Sequence, residues 1–184
     1  MSWFESEIAP MLAVKGEPFD SIDYIFEPKW DGTRSIAFID IENQRAKLQN
    51  RRFNIITRRY PELELTEFVK ENAVVDGEII VLKDRKPSFK LLQRREQVDS
   101  NFKINILSRT SPAIYFVFDV LYTESRGWVT DLPLTERKEI LQDTASKTSH
   151  IMLSEHIEEK GNHFYQVSVD AGLEGIIGKK KSSP

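Results

Sequence analysis

Apolar residues in this chain fall in short blocks separated by polar stretches, not in one long periodic run. Tyr24-Ile25-Phe26 predicts a strand running into Lys29, and Ser35 to Asp40 predicts a second. Arg45 to Gln49 alternates polar and apolar and predicts a third strand after a turn at Glu42-Asn43. Pro61 suits the first position of a helix in which Leu65, Phe68 and Val69 recur at helical spacing. Val74-Val75 and Glu78 to Leu82 read as strands on either side of an Asp76-Gly77 turn. Residues 83–104 are polar, with a short helix around Phe89 to Leu92. Ala113 to Tyr122 is the strongest strand pattern in the chain. Pro133 starts a helix through Leu134, Ile140 and Leu141. Ile151-Met152-Leu153 is a short strand, a helix around Phe164 to Ala171 ends at Gly172, and Ile176-Ile177 is the last strand. Residues 1–20 form an irregular lead-in broken by Pro10, Gly16 and Pro18. Antiparallel strands come first and helices intervene irregularly, so the class is α+β, not a regular βαβ alternation.

The length of 184 residues suits one domain with room for a core. A net charge of −3 does not announce a polyanion binder. The distribution of charge is more telling. Arg45, Lys47, Arg51, Arg52, Arg58 and Arg59 crowd one stretch, and Lys83, Arg85, Lys86, Lys90, Arg94 and Arg95 another. Lys179, Lys180 and Lys181 lie near the end. Such stripes can bind a polyanion locally, although most members of such runs are solvated faces. The chain has no cysteine, which excludes disulfides and cysteine-ligated zinc. His150, His156 and His163 lack metal-ligand spacing. No segment reads as a membrane span or a signal peptide, so a cytosolic protein without a membrane partner is expected.

The richest segment is Glu27-Pro28-Lys29-Trp30-Asp31-Gly32-Thr33-Arg34. Read blandly, it is a β-turn at Asp31-Gly32 with solvated flanks. Read chemically, it sets a nitrogen nucleophile beside a phosphate-binding guanidinium, with a glycine that admits close backbone approach. A free lysine has a pKa near ~10.4, so roughly one in a thousand is neutral at pH 7.4. A cationic neighbour or metal would raise that fraction, and attack on phosphorus needs cations around the phosphate. Four further segments bear on such a site. Asp76-Gly77-Glu78 sets a carboxylate at a strand mouth. Phe116-Val117-Phe118-Asp119-Val120-Leu121 buries an aspartate that needs a partner, beside aromatic rings. Gly172-Leu173-Glu174-Gly175-Ile176-Ile177 carries another carboxylate. Phe89-Lys90-Leu91-Leu92-Gln93-Arg94-Arg95 is the fourth.

In this order the segments resemble the motifs K-x-D-G-x-R, D-G-E, F-D-x-L, E-G-[IV]-[IV] and F-x-x-L-Q-x-R of ATP-dependent DNA ligases. Ala9-Pro10-Met11-Leu12-Ala13 resembles the lead-in of the bacterial and archaeal enzymes. The resemblance covers nearly the whole chain and points to the adenylation domain, especially of end-joining ligases. It implies an ATP-grasp-like nucleotidyltransferase fold, two antiparallel sheets with flanking helices around the nucleotide. It implies Lys29 as the catalytic residue, attacking the α-phosphate of ATP to hold AMP for transfer to the 5′-phosphate of nicked double-stranded DNA. The ATP-binding set is then Glu27, Lys29, Arg34, Arg51, Glu78, Phe118 and Glu174, with Glu78 on ribose and Phe118 stacked on adenine. Glu78 and Glu174 would hold Mg2+ or Mn2+. Arg34, Arg51 and Arg52 would meet DNA. End-joining repair proteins are the implied partners, and a nucleoid-associated cytoplasmic place is implied. Two departures stand out. Asn50-Arg51-Arg52-Phe53 stands where the family has S-R-N-G, and residues 1–184 reach neither the K-x-K motif nor an OB-fold. The expectation is therefore a C-terminally incomplete adenylation domain. A nucleotide- or DNA-binding fragment without turnover, and an RNA ligase or capping-type enzyme, are the alternatives.

Overall fold

The computed structural model describes residues 2–184. In chain order β1 (Ser21–Pro28), β2 (Thr33–Asp40) and β3 (Arg45–Asn50) come first. A one-turn helix α1 (Leu65–Phe68), the long strand β4 (Ala73–Lys83) and its short partner β5 (Lys86–Pro87) follow. Helices α2 (Phe89–Glu96) and α3 (Asn101–Thr110) precede β6 (Ala113–Thr123) and β7 (Gly127–Trp128). The chain closes with α4 (Leu134–Thr144), β8 (Ile151–Leu153), β9 (Ile157–Glu159), α5 (Gly161–Asp170) and β10 (Ile176–Lys180).

Two sheets result. The small one is three-stranded, with β1 between β10 and β9, antiparallel to both. The large one runs β3-β2-β4-β6-β7, with β5 paired to β4 and β8 joining β6 in parallel. Strand alternation gives the large sheet two apolar faces. Ala37, Ile39 and Val75 point into the main core, where Leu92 of α2 and Ile140 and Leu141 of α4 cover them. Ile36, Phe38 and Val74 point the other way and meet Phe4, Trp3 and Ile8 of the lead-in. The irregular N-terminal stretch therefore closes one face of the sheet.

The α+β reading and most strands hold, with four corrections. First, Asp31-Gly32 is no hairpin turn, because β1 and β2 lie in different sheets. The segment crosses from one sheet to the other, and a Cβ on Gly32 would fall on the carbonyl oxygen of Ile79. That close approach, not turn geometry, requires glycine. Second, Asp76-Gly77 lies inside one continuous strand. Asp76 pairs with Ile36 and Gly77 with Ser35 on β2, while the register with β6 shifts between them. Pairing on both sides overrides the turn propensity and leaves a bulge, where Gly77 makes room for the Tyr115 ring. Third, the helix expected from Pro61 begins only at Leu65. Tight turns, with the Leu63 N–H donating to Tyr60 O at 3.1 Å and the Leu65 N–H to Leu63 O at 2.8 Å, already bury Tyr60 and Leu63 ahead of it. Fourth, residues 83–104 hold not one helix but α2 and the start of α3. The exposed Phe102 and Ile106 blur the apolar periodicity of α3. No helix among the described residues is long and apolar enough to cross a membrane.

Candidate active site

The site lies in a cleft of about 1610 Å³ between the two sheets. Glu27, Lys29, Arg34, Arg51, Arg52, Glu78, Phe118 and Glu174 all line it, so the fold collects every residue the sequence nominated. β1 ends at Pro28 and delivers Lys29 to the cleft. The segment before β10 grips Lys29 at both ends. The Lys29 N–H donates to Gly175 O at 2.9 Å, and its ammonium pairs directly with the Glu174 carboxylate.

Across the cleft, β2 and β4 set Arg34 opposite Glu78 in register. The Arg34 guanidinium reaches diagonally to Asp76, with Nε on Oδ1 at 2.5 Å and Nη2 on Oδ2 at 2.6 Å. This bidentate pair fixes the plane of the guanidinium, so Arg34 is a braced group. Burial pulls the Arg34 pKa down, but the Asp76 hydrogen bonds and charge override that and raise it. Burial pushes the Glu78 carboxyl up to about 8; Arg34 and Lys29 oppose this, and Asp76 and Glu174 reinforce it. A carboxyl group raised in this way holds its proton near neutral pH until a cation arrives.

Phe118 is 8% exposed, and its ring faces two cations. The Arg34 Cζ stands 4.4 Å from the ring centroid and the Lys179 Nζ 4.1 Å. The ring is thus no open platform, and a stacking base must displace a cation. Phe116, the other aromatic of that strand, stacks on Trp30 with centroids 4.1 Å apart. Asp119 has the partner its burial demanded. Arg137 of α4 donates Nε to Oδ1 and Nη2 to Oδ2, both at 2.9 Å.

The basic run after β2 separates by partner. Arg45 pairs with Asp40 at 2.7 Å, Lys47 lies 4.2 Å from the Phe38 ring centroid, and Arg58 and Arg59 approach Asp99. Arg51 and Arg52 have no ion-pair or ring partner among the described residues, and both line the cleft. The departure from S-R-N-G is visible in the backbone. The Asn50 Oδ1 accepts the N–H groups of Arg52 and Asn54 at 2.9 and 3.0 Å, and Phe53 sits at φ 62°, a conformation that favours glycine.

Sequence reasoning passed over Lys138. It occurs in Glu136-Arg137-Lys138-Glu139, which looks like a solvated helix face. Its Nζ instead lies 2.5 Å from Glu27 Oε1, and the residue is buried. The spacing Leu134, Lys138, Leu141 would have placed it on the apolar face of α4. Lys179 takes the other Glu27 oxygen at 2.9 Å. The described residues contain no group of three metal-ligating side chains. Glu174 pairs with Lys29, and Glu78 lines the same cleft and feels the charges of both; this all-oxygen donor set suits a hard divalent cation that takes its remaining ligands from phosphate and water.

Residues 10–184 match the family described as ATP dependent DNA ligase domain. The chain is 32% identical over 182 residues to the SPbeta prophage-derived DNA ligase-like protein LigB of Bacillus subtilis, covering 96% of this chain and 62% of that protein. It is 28% identical over 181 residues to the multifunctional non-homologous end joining protein LigD of Mycobacterium bovis, covering 96% of this chain and 22% of that protein. The solved structure of a mycobacterial DNA ligase D complexed with ATP and MES superposes with a TM-score of 0.77 at 26% identity, over 95% of this chain and 55% of that one. The chain thus spans less than two thirds of the length of each of these proteins.

Proposed function

The chain belongs to the ATP-dependent DNA ligase domain family, and on that premise we propose that residues 1–184 form an adenylation unit that charges itself with AMP at Lys29. The observation that carries this reading is the grip on Lys29 by Gly175 and Glu174 inside a cleft that also holds Arg34, Glu78 and Phe118.

In this reading the Lys29 amine, released from Glu174 and deprotonated, directs its lone pair at the α-phosphorus of ATP. An N–P bond forms, the bond from the α-phosphorus to the bridging oxygen breaks, and pyrophosphate leaves with that electron pair. Arg34, held in plane by Asp76, presents its remaining N–H donors to phosphate oxygens. Glu78 accepts from ribose, and the base stacks on Phe118. Glu78 and Glu174 would hold Mg2+ or Mn2+, which supplies neutralisation of the phosphate charge. Arg51 and Arg52 meet the backbone of nicked double-stranded DNA, to whose 5′-phosphate AMP passes. The similarity to LigD supports end-joining repair proteins as partners, and such a role implies work at the nucleoid.

The test is intact mass after incubation with magnesium and ATP, beside GTP and no nucleotide. One AMP gained from ATP, and lost in Lys29→Ala, is the expected result. ATP binding without a mass gain would leave a nucleotide-binding module with no transfer. A gain from GTP alone would point to a capping-type enzyme.

A further inference from the structure

The Phe53 ring stands outside the packing of the fold. It is 45% exposed and belongs to neither apolar core of the large sheet. Ile55, two residues on, is 58% exposed. The backbone that carries the ring is nonetheless fixed. The Phe53 N–H donates to Asn50 O at 2.9 Å, and the Asn50 N–H donates to Asn54 O at 3.0 Å. The buried Ile56 anchors the turn, its N–H donating to Leu48 O at 2.9 Å. At φ 62° a side chain is strained and glycine is not, and an exposed ring gains too little burial to offset that strain. Directly before it come Arg51 and Arg52, exposed cations that line the cleft and have no ion-pair partner among the described residues.

We propose that Phe53 is a DNA-contacting residue: its exposed ring packs on the apolar sugar face of the strand whose phosphates Arg51 and Arg52 hold. This rests on the DNA-binding reading of those two arginines. Two free cations beside an apolar ring fit a partner in which charge and apolar surface alternate at short range. A nucleic-acid strand has that form, since each phosphate adjoins a sugar with a carbon face. The guanidiniums supply the salt-sensitive, charge-driven part of binding. They fix the register of the strand and leave its apolar surface uncovered. The ring covers that surface and adds a part that salt does not screen. Because hydrogen bonds already fix its backbone, little ordering is left to do on binding.

The experiment measures binding of nicked duplex DNA across salt concentrations, with urea denaturation of each variant beside it. Phe53→Gly should weaken binding about fivefold at every salt concentration, the scale of half a ring returned to water. Its plot of log affinity against log salt should run parallel to the wild-type line, because an apolar contact releases no counterion. Arg51→Ala should instead make the line shallower by about 1. Glycine takes φ 62° without strain, so the urea midpoint of Phe53→Gly should be no lower than that of the wild type. Phe53→Asn, which also tolerates this backbone, should lose the same affinity, and Phe53→Tyr, which keeps the ring, should restore it. Unchanged affinity in the glycine and asparagine variants would overturn the proposal. So would a changed salt slope, which would mean that the ring acts only through the arginines, or a lowered urea midpoint, which would make it a packing residue. A wild-type chain that binds no duplex overturns the DNA reading of Arg51 and Arg52, and this inference with it.

Discussion

Glu78 shows how a single residue can store the demand for a ligand. Its carboxyl titrates at about 8 in the fold against 4.5 outside it, because burial outweighs Arg34 and Lys29. Between those values the folded chain holds a proton that the unfolded chain has released. Protons bound in the folded state exceed those in the unfolded state, so stability falls as pH rises from about 4.5 through about 8 and levels above. Urea denaturation of the metal-free chain at pH 5 and pH 8.5 should show this loss, and Glu78→Gln should flatten it. An unchanged pH slope in the variant would show that Glu78 is not the titrating group. Phe53 is a contrasting residue. It adopts a left-handed backbone at φ 62°, next to the cleft-lining Arg51 and Arg52, at the position where the S-R-N-G pattern has glycine.

At the level of elements, α2 shows that a motif can serve the scaffold. Arg95, the arginine of the F-x-x-L-Q-x-R pattern, is 1% exposed and grips Glu62 at 2.6 and 2.9 Å. It also donates to the carbonyl oxygens of Arg59, Leu107 and Ser111, tying α2, α3 and the segment before α1 together. Removing one partner strands a buried charge, so Arg95→Met should cost about 3–5 kcal/mol in chemical denaturation. The exposed Arg94→Ala should cost less than about 0.5 kcal/mol. From the same element Glu96 accepts from the Thr33 hydroxyl at 2.5 Å, which anchors the helix to the strand that carries Arg34. Elements with a strong local pattern, such as β6 and α4, were legible because alternation or helical spacing marks a buried face. Asp76-Gly77 was misread as a turn because long-range pairing on both flanks outweighs local turn preference.

The whole molecule is two sheets facing a cleft, and its overall charge of −3 hides what the cleft presents. Among the described residues Arg51 and Arg52 have no ion-pair partner there, while Arg45 pairs with Asp40. Replacing Arg51 and Arg52 with alanine should lower the salt slope of duplex binding by about 2, roughly one released counterion for each lost phosphate contact. Arg45→Ala should leave the slope unchanged. Filter binding across salt concentrations distinguishes the two outcomes. The sequence by itself determined the α+β class, the family and the order of the site segments, because strand alternation and short motifs are local properties of the chain. Only the tertiary structure decided that Asp31-Gly32 bridges two sheets, that Arg34 is braced on Asp76, that Phe118 faces two cations and that Lys138 supports Glu27. Those facts join residues far apart in the chain, and which charge ends up buried beside which is set by how the sheets and helices pack.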